Sequence, residues 1–268
     1  MDFNSLFSLE GRVAVVTGGS RGIGKMIVRG FLAAGCSRVY ISARKAEQVE
    51  ATVAELGERV IGIPADLSQM DGMERLAAEV SAREDRLDIL VNNAGAAWGQ
   101  EFLEFGEAGW DRTMDLNVKT PFFLTQKLHP LLKAAASAER PAKVVMIASI
   151  DGMKTNPWET YPYQASKAAL IHLTRRMAAR LVADNIVVNG IGPGAFASDM
   201  NRAARDNADV VERGIPAGRI GTDEDMAAGA IYLASRAGDY VVGTTIPIDG
   251  GVVNANVGAG NFVDPSGR

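Results

Sequence analysis

With 268 residues, 47% hydrophobic and 22% charged, the chain has the size and composition of one large globular domain with a substantial core. A net charge of −4 and scattered Lys and Arg exclude a surface built to neutralise nucleic-acid phosphates. No apolar stretch approaches the roughly 20 residues of a membrane span, and no basic segment followed by an apolar run opens the chain, so neither a membrane span nor a secretory leader is expected.

In chain order, short β-branched runs alternate with longer helical patterns. Strands are expected at 13–16, 39–42, 60–64, 89–91, 144–148, 186–191 and 244–248. Helices are expected at 23–34, 46–56, 70–83, 110–132, 163–182 and 223–234. The alternation predicts α/β architecture, a doubly wound Rossmann fold whose seven-stranded parallel sheet carries helices on both faces. Runs such as Val13-Ala14-Val15-Val16 suit strands covered on both sides. No repeat or linker divides the chain, so 1–268 reads as a single dinucleotide-binding and catalytic domain, with the Gly- and Asn-rich residues 252–268 as a C-terminal extension.

The first strand runs into Thr17-Gly18-Gly19-Ser20-Arg21-Gly22-Ile23-Gly24, and a helix follows. Glycines at 18, 22 and 24 allow a tight turn and close approach of a pyrophosphate to the helix N-terminus, where free amides and the helix dipole favour anions. Cys36, the sole cysteine, reads as a small core residue and allows no intrachain disulfide. At the end of the second strand an NAD-selective site usually carries an acid. Here Ser42-Ala43-Arg44-Lys45 precedes the first acid, Glu47, so Arg44 and Arg21 are expected to flank a 2′-phosphate. NADPH is therefore expected over NADH.

Tyr163 and Lys167 lie four residues apart, on one face of a helix. A phenol, with a pKa near ~10, is a poor proton relay at neutral pH, and a neighbouring ammonium is expected to lower that value. Ser149 is placed to donate a hydrogen bond to a substrate oxygen. The three together suit reversible hydride transfer to a ketone. His129 and His172 have no partner at metal-ligand spacing and read as structural, so no metal is expected.

The glycine-rich segment, Asn92-Asn93-Ala94-Gly95, Asn117, Ser149 and Tyr163-x-x-x-Lys167, in this order and spacing from about Leu9 to Gly251, resemble the short-chain dehydrogenase/reductase family. The resemblance implies that Tyr163 is the general acid, that Lys167 lowers its pKa and bonds the nicotinamide ribose, and that Ser149 orients the carbonyl. It implies that Asn117 holds a water linking Lys167 to solvent. Gly18, Ser20, Arg21, Gly22, Ile23, Gly24, Arg44, Asp66, Leu67, Asn93, Ala94, Gly95, Tyr163, Lys167, Pro193, Gly194, Phe196 and Ser198 are implied to bind NADP, with backbone groups at Phe196 reaching the carboxamide. A homotetramer, joined through the helices at 110–132 and 163–182, is implied as well, and with neither leader nor membrane span expected, the cytoplasm is the default location.

Trp98, Met153, Trp158 and Met200 are expected to line an apolar substrate pocket, and residues 195–216 to form a lid. Phe7-Ser-Leu, Ala96–Gly99, the Leu131–Ala142 segment, Pro193–Met200 and Ile246–Gly251 resemble, more narrowly, NADPH-dependent β-ketoacyl reductases of the rhamnolipid-associated type. That implies a 3-oxoacyl thioester or related ketone as the small-molecule carbonyl or alcohol substrate. Steroids, cyclic ketones and sugars stay open as alternatives. A non-catalytic dinucleotide-binding sensor on the same fold is the alternative from another class.

Overall fold

A computed structural model describes residues 3–256. After the short helix α1 (Phe3–Phe7), the chain runs β1 (Val13–Thr17), α2 (Gly22–Ala33), β2 (Arg38–Ser42), α3 (Ala46–Leu56), β3 (Val60–Gly62), α4 (Met70–Ser81) and β4 (Ile89–Asn92). The second half runs α5 (Glu107–Met114), α6 (Thr120–Ala135), β5 (Ala142–Ile147), α7 (Tyr161–Leu181), β6 (Ile186–Pro193), α8 (Arg202–Asp206), α9 (Ala208–Glu212), α10 (Asp223–Ala234) and β7 (Thr245–Ile248). All seven strands are parallel, in the order β3-β2-β1-β4-β5-β6-β7.

Successive residues along each strand enter opposite cores, because strand side chains alternate. Val13, Val15, Leu90, Val144, Met146 and Val188 pack with Met73 and Leu76 of α4, Leu124 and Leu128 of α6, and Leu170 of α7. Ala14, Val16, Ile89, Val91, Val145 and Ile147 pack on the other face with Ile27 and Phe31 of α2 and Met226 and Leu233 of α10. Helices α2 and α10 cross closely at Gly30, where a Cβ would come within 2.6 Å of the Ala227 Cβ. The chain returns from the β3 edge to place β4 beside β1, and the reversal opens a crevice at the carboxyl ends of those two strands.

Several expected elements differ. Strand β3 stops at Gly62 rather than 64, and residues expected to form an irregular lid contain the short helices α8 and α9. The helix expected over 110–132 is interrupted by a π-helical turn, Asp115–Lys119, between α5 and α6. Pro121 has no N–H to give the carbonyl four residues back, that of Asn117. The ladder slips to a longer bond, Thr120 N–H to Asp115 O, and Asn117 sits in the slipped turn. Of the C-terminal extension, residues 252–256 form a turn and its end, while 257–268 lie outside the described residues.

Candidate active site

The end of β1 becomes a glycine cradle because two of its positions have φ values that disfavour side chains, +66° at Gly18 and +50° at Gly22. At Gly24 a Cβ would lie 2.2 Å from the Gly18 carbonyl oxygen, so α2 starts directly against the turn. Arg21 is the N-cap of α2 but makes no side-chain cap, and the first turn holds no acid. The amides there keep the positive end of the helix for an anion, which fits a dinucleotide pyrophosphate. Ser20 is buried, and its carbonyl lies 3.0 Å from Thr52 Oγ1.

Thr17 anchors this cradle to β4. Its hydroxyl accepts from the amides of Asn93 and Ala94, both at 2.9 Å, while Asn93 Nδ2 donates to the Thr17 carbonyl at 2.8 Å. Neither Thr17 nor Thr52 stands out in sequence, because both act through partners distant in the chain. Gly95 follows, and a Cβ there would lie 3.1 Å from Asn117 Oδ1 and 3.6 Å from Lys167 Nζ, so this glycine lets two implied catalytic groups converge.

Asp66 is exposed and caps the next turn, accepting from the Ser68 amide at 3.1 Å. Leu67 turns its side chain into the core. Arg44 is exposed at the end of β2 and has no ion pair among the described residues. The Arg21 guanidinium meets Asp199 at 2.7 Å, and Arg205 of α8 holds the other Asp199 oxygen at 2.7 Å. The pairing ties the region after β6 to the glycine loop. Ser198 lies over Gly22, whose added Cβ would come within 3.2 Å of the Ser198 Cβ, and its Oγ accepts from the Asn201 amide at 3.1 Å. Pro193 ends β6, and the Gly194 amide donates to Ile248 O at 2.9 Å. The Phe196 ring is buried against Gly221, leaving only its backbone to meet a ligand.

On the catalytic side, Ser149 follows β5 and caps a 3₁₀ turn, Ile150–Gly152, by accepting from the Asp151 amide at 3.1 Å. Ser149 also hydrogen-bonds the Tyr163 phenol. Lys167 is buried, donates to Ile147 O at 2.8 Å, and holds its ammonium 5.6 Å from the Tyr163 ring centroid. Asn117 is fully engaged: Nδ2 donates to Ala96 O at 2.8 Å and Ser166 Oγ at 2.9 Å, while Oδ1 accepts from Ala96 N–H at 2.8 Å. Ser166 passes the link on by donating to Tyr163 O at 2.8 Å. The Asn117 side chain therefore braces α7, with both amide hydrogens engaged.

The electrostatics reverse one expectation. Burial pushes the Tyr163 phenol up to about 12, against a smaller downward pull from Ser149 and with a further upward push from Asp151. Burial likewise pulls Lys167 down to about 8, opposed by Asp151. Burial is the largest influence on the phenol, and it favours the protonated form.

The expected pocket residues divide. Trp158 and Met200 are exposed on the segments flanking the catalytic end. Trp98 packs on α5, with Gly109 beneath it and the Arg112 guanidinium 5.8 Å from its ring centroid. Met153 packs on Gly192 and lines a separate cavity of about 350 Å³ with Ile171, Arg175 and Thr245. Ser149 backs on the same Gly192, so Met153 lies close behind the catalytic serine. Asn156 and Gln164, absent from the sequence reading, join the loop before α7 to its first turn at 3.2 Å.

A family model described as Enoyl-(Acyl carrier protein) reductase matches residues 18–253. The rhamnolipids biosynthesis 3-oxoacyl-[acyl-carrier-protein] reductase of Pseudomonas aeruginosa is 48% identical over 250 residues, 91% of this chain and 97% of that protein. The 2-dehydro-3-deoxy-D-gluconate 5-dehydrogenase of Escherichia coli is 38% identical over 92% of this chain and 97% of its own. The solved Pseudomonas aeruginosa RhlG/NADP active-site complex superposes with a TM-score of 0.89 at 48% identity, covering 93% of this chain and 99% of that one. With this likeness running along nearly the whole length and the glycine cradle, Ser149, Tyr163 and Lys167 gathered at one end of the sheet, the chain belongs to the short-chain dehydrogenase/reductase family.

Proposed function

We propose that the chain is an NADPH-dependent carbonyl reductase acting on a 3-oxoacyl thioester or a related ketone, with Tyr163 as the proton donor. The observation that carries this reading is the convergence of Ser149, Tyr163 and Lys167 beside the glycine cradle. The relative whose printed name is a 3-oxoacyl reductase, and the NADP complex of similar structure, support the substrate class and the cofactor. Arg44, exposed, without an ion pair among the described residues, and followed by no acid until Glu47, supports the 2′-phosphate choice.

When bound, the dinucleotide supplies the hydride that the carbonyl carbon accepts. The chain supplies the rest. The α2 amides and glycine turn would hold the pyrophosphate, and Lys167 would bond the ribose. Ser149 and Tyr163 together hold the substrate oxygen. As the C=O π bond breaks, the Tyr163 O–H bond breaks too, and the proton goes to the nascent alkoxide. A phenol held near 12 carries that proton throughout the neutral range, as a general acid must. The tyrosinate left behind recovers a proton from solvent.

The test is NADPH oxidation with acyl thioesters, simple ketones and keto-sugar acids, in the native chain and in Tyr163→Phe. Acyl thioesters are expected to give the highest kcat/KM, and the variant is expected to lose about a thousandfold. Equal turnover by the variant overturns the mechanism, and a preference for keto-sugar acids transfers the substrate assignment to the chemistry named for the 38% identical relative. The exposed Phe102, Trp110 and Phe122, on or just before α5 and α6, support a homotetramer built on those helices and α7. The single buried thiol of Cys36, pushed up to about 12 by burial, suits the cytoplasm.

A further inference from the structure

The glycine turn reaches across the carboxyl end of β2. The Gly18 amide donates to Ser42 O at 2.7 Å, and a Cβ at Gly19 would lie 2.7 Å from Ile41 Cγ2. In a doubly wound dinucleotide fold the ribose 2′ substituent is met at the end of this strand, so Arg21 in the turn and Arg44 just beyond β2 are the cations at hand for a 2′-phosphate. They are not equally free. Arg44 has no ion pair among the described residues, whereas one Asp199 oxygen holds the Arg21 guanidinium at 2.7 Å.

Asp199 is itself held in place. Ser198 before it lies over Gly22, and the Ser198 hydroxyl accepts from the Asn201 amide at 3.1 Å. Asn201 in turn caps α8, its side chain accepting from the Ala204 amide at 3.1 Å. From α8, Arg205 holds the second Asp199 oxygen at 2.7 Å. Arg205 also has a carboxylate besides Asp199, because Asp206 accepts from its Nε and Nη2 at 2.7 and 3.0 Å. Removing the Asp199 charge therefore leaves Arg205 paired and frees Arg21 alone.

We infer that Asp199 is a specificity-determining residue for the cofactor: it competes with the 2′-phosphate for the charge of Arg21, and so weakens NADPH binding while leaving NADH binding almost unchanged. The inference rests on the reading of NADPH as cofactor. A carboxylate on one edge of the guanidinium compensates its charge and repels an arriving phosphate. The 2′-phosphate must displace Asp199 or settle for a cation already neutralised. NADH has the same pyrophosphate but no 2′-phosphate, and escapes this contest. Arg21 and Asp199 are 60% and 51% exposed at their side chains, so water and salt screen the pair and its effect on affinity is a few-fold.

The experiment is fluorescence titration of NADPH and of NADH into the native chain, Asp199→Asn, Arg21→Gln and the double variant, with Asp199→Ser as a second replacement in case asparagine keeps a hydrogen bond to Arg21. Either Asp199 variant is expected to bind NADPH about two- to fivefold more tightly, with NADH changed by less than about 1.5-fold. The gain is expected to vanish when Arg21 is also replaced. An unchanged Kd for NADPH in both Asp199 variants overturns the inference. So does an equal gain for NADH, or a gain that survives Arg21→Gln, since either would mean that Asp199 acts as a diffuse negative charge on any phosphate. Weaker binding of both dinucleotides overturns it as well and makes Asp199 a structural tether. A native chain that binds NADH in preference to NADPH would instead overturn the cofactor reading.

Discussion

The Lys167 ammonium stands 5.6 Å from the centre of the Tyr163 ring while its hydrogen bond goes to the carbonyl of Ile147 at 2.8 Å. The charge faces the ring, where a cation interacts with the π-system, and the carbonyl at the end of β5 fixes its position. Buried between them, it carries a desolvation cost that the single hydrogen bond does not offset, and its pKa falls from 10.5 to about 8. The protein without cofactor is therefore destabilised by a group that its chemistry requires.

Replacing Lys167 with Met should show this. The lowered pKa corresponds to an upper bound of about 3 kcal/mol. The native state binds fewer protons than the unfolded chain between about 8 and 10.5, so the penalty is complete below pH ~8 and fades as pH rises toward 10.5. Urea unfolding at pH 7 without cofactor is expected to show Lys167→Met more stable by about 1–3 kcal/mol, a difference that shrinks by pH 10. Carbonyl reduction should fall at least about a hundredfold. A variant less stable at both pH values would show that the ammonium contributes net stability.

Arg44→Asp is expected to lower the ratio of NADPH to NADH affinity by more than about tenfold, because a lost charge-assisted contact to phosphate is worth about 1.5–3 kcal/mol. Arg21→Ala should change it less, since that guanidinium must leave the Asp199 carboxylate, 2.7 Å away, to meet a phosphate. Fluorescence titration with each dinucleotide measures both, and equal effects would return Arg21 to the role expected from its position.

Gly24→Ala should abolish dinucleotide binding or prevent folding, because the new methyl would lie 2.2 Å from Gly18 O, a backbone atom that cannot retreat. Gly106→Ala is the contrast. Its φ is −85° and the nearest atom to an added Cβ is the end of the Gln100 side chain at 4.0 Å, so a change within about 1 kcal/mol is expected. Circular dichroism and cofactor titration of the two variants separate packing from binding.

At the opposite end of β5 from Ser149, Lys143 is 1% exposed at its side chain and meets Asp239 at 2.6 Å. Removing one partner leaves an uncompensated buried charge, so Asp239→Asn is expected to cost about 3 kcal/mol in urea unfolding. Lys143→Met combined with Asp239→Leu should recover most of it, with kcat little changed, because the pair lies at the amino end of the strand. A double variant as unstable as the single one would mean that the pair stabilises by more than mutual charge compensation.

Much of this architecture is legible in sequence. Val13-Ala14-Val15-Val16 reads as a doubly covered strand, and the glycines after it as a phosphate cradle, because both depend on local periodicity and on the conformational freedom of particular residues. The bend at Asn117 was legible in principle, from the Pro121 that withholds an N–H four residues on, but an apolar helical pattern across 110–132 concealed it. Trp98 packs on α5 beside Arg112 and Met153 on Gly192, contacts with distant segments that spacing along the chain does not carry.

What the amino-acid order alone determined is the succession of elements, the cradle, and the Ser149, Tyr163 and Lys167 set, all of which follow from short-range spacing. Tertiary structure decided that Arg21 pairs with Asp199, that Thr17 and Ser166 brace the site, and that burial pushes the phenol up. The reason is physical. Desolvation and charge pairing depend on which distant segments exclude water from a group, and spacing along a chain carries no measure of that.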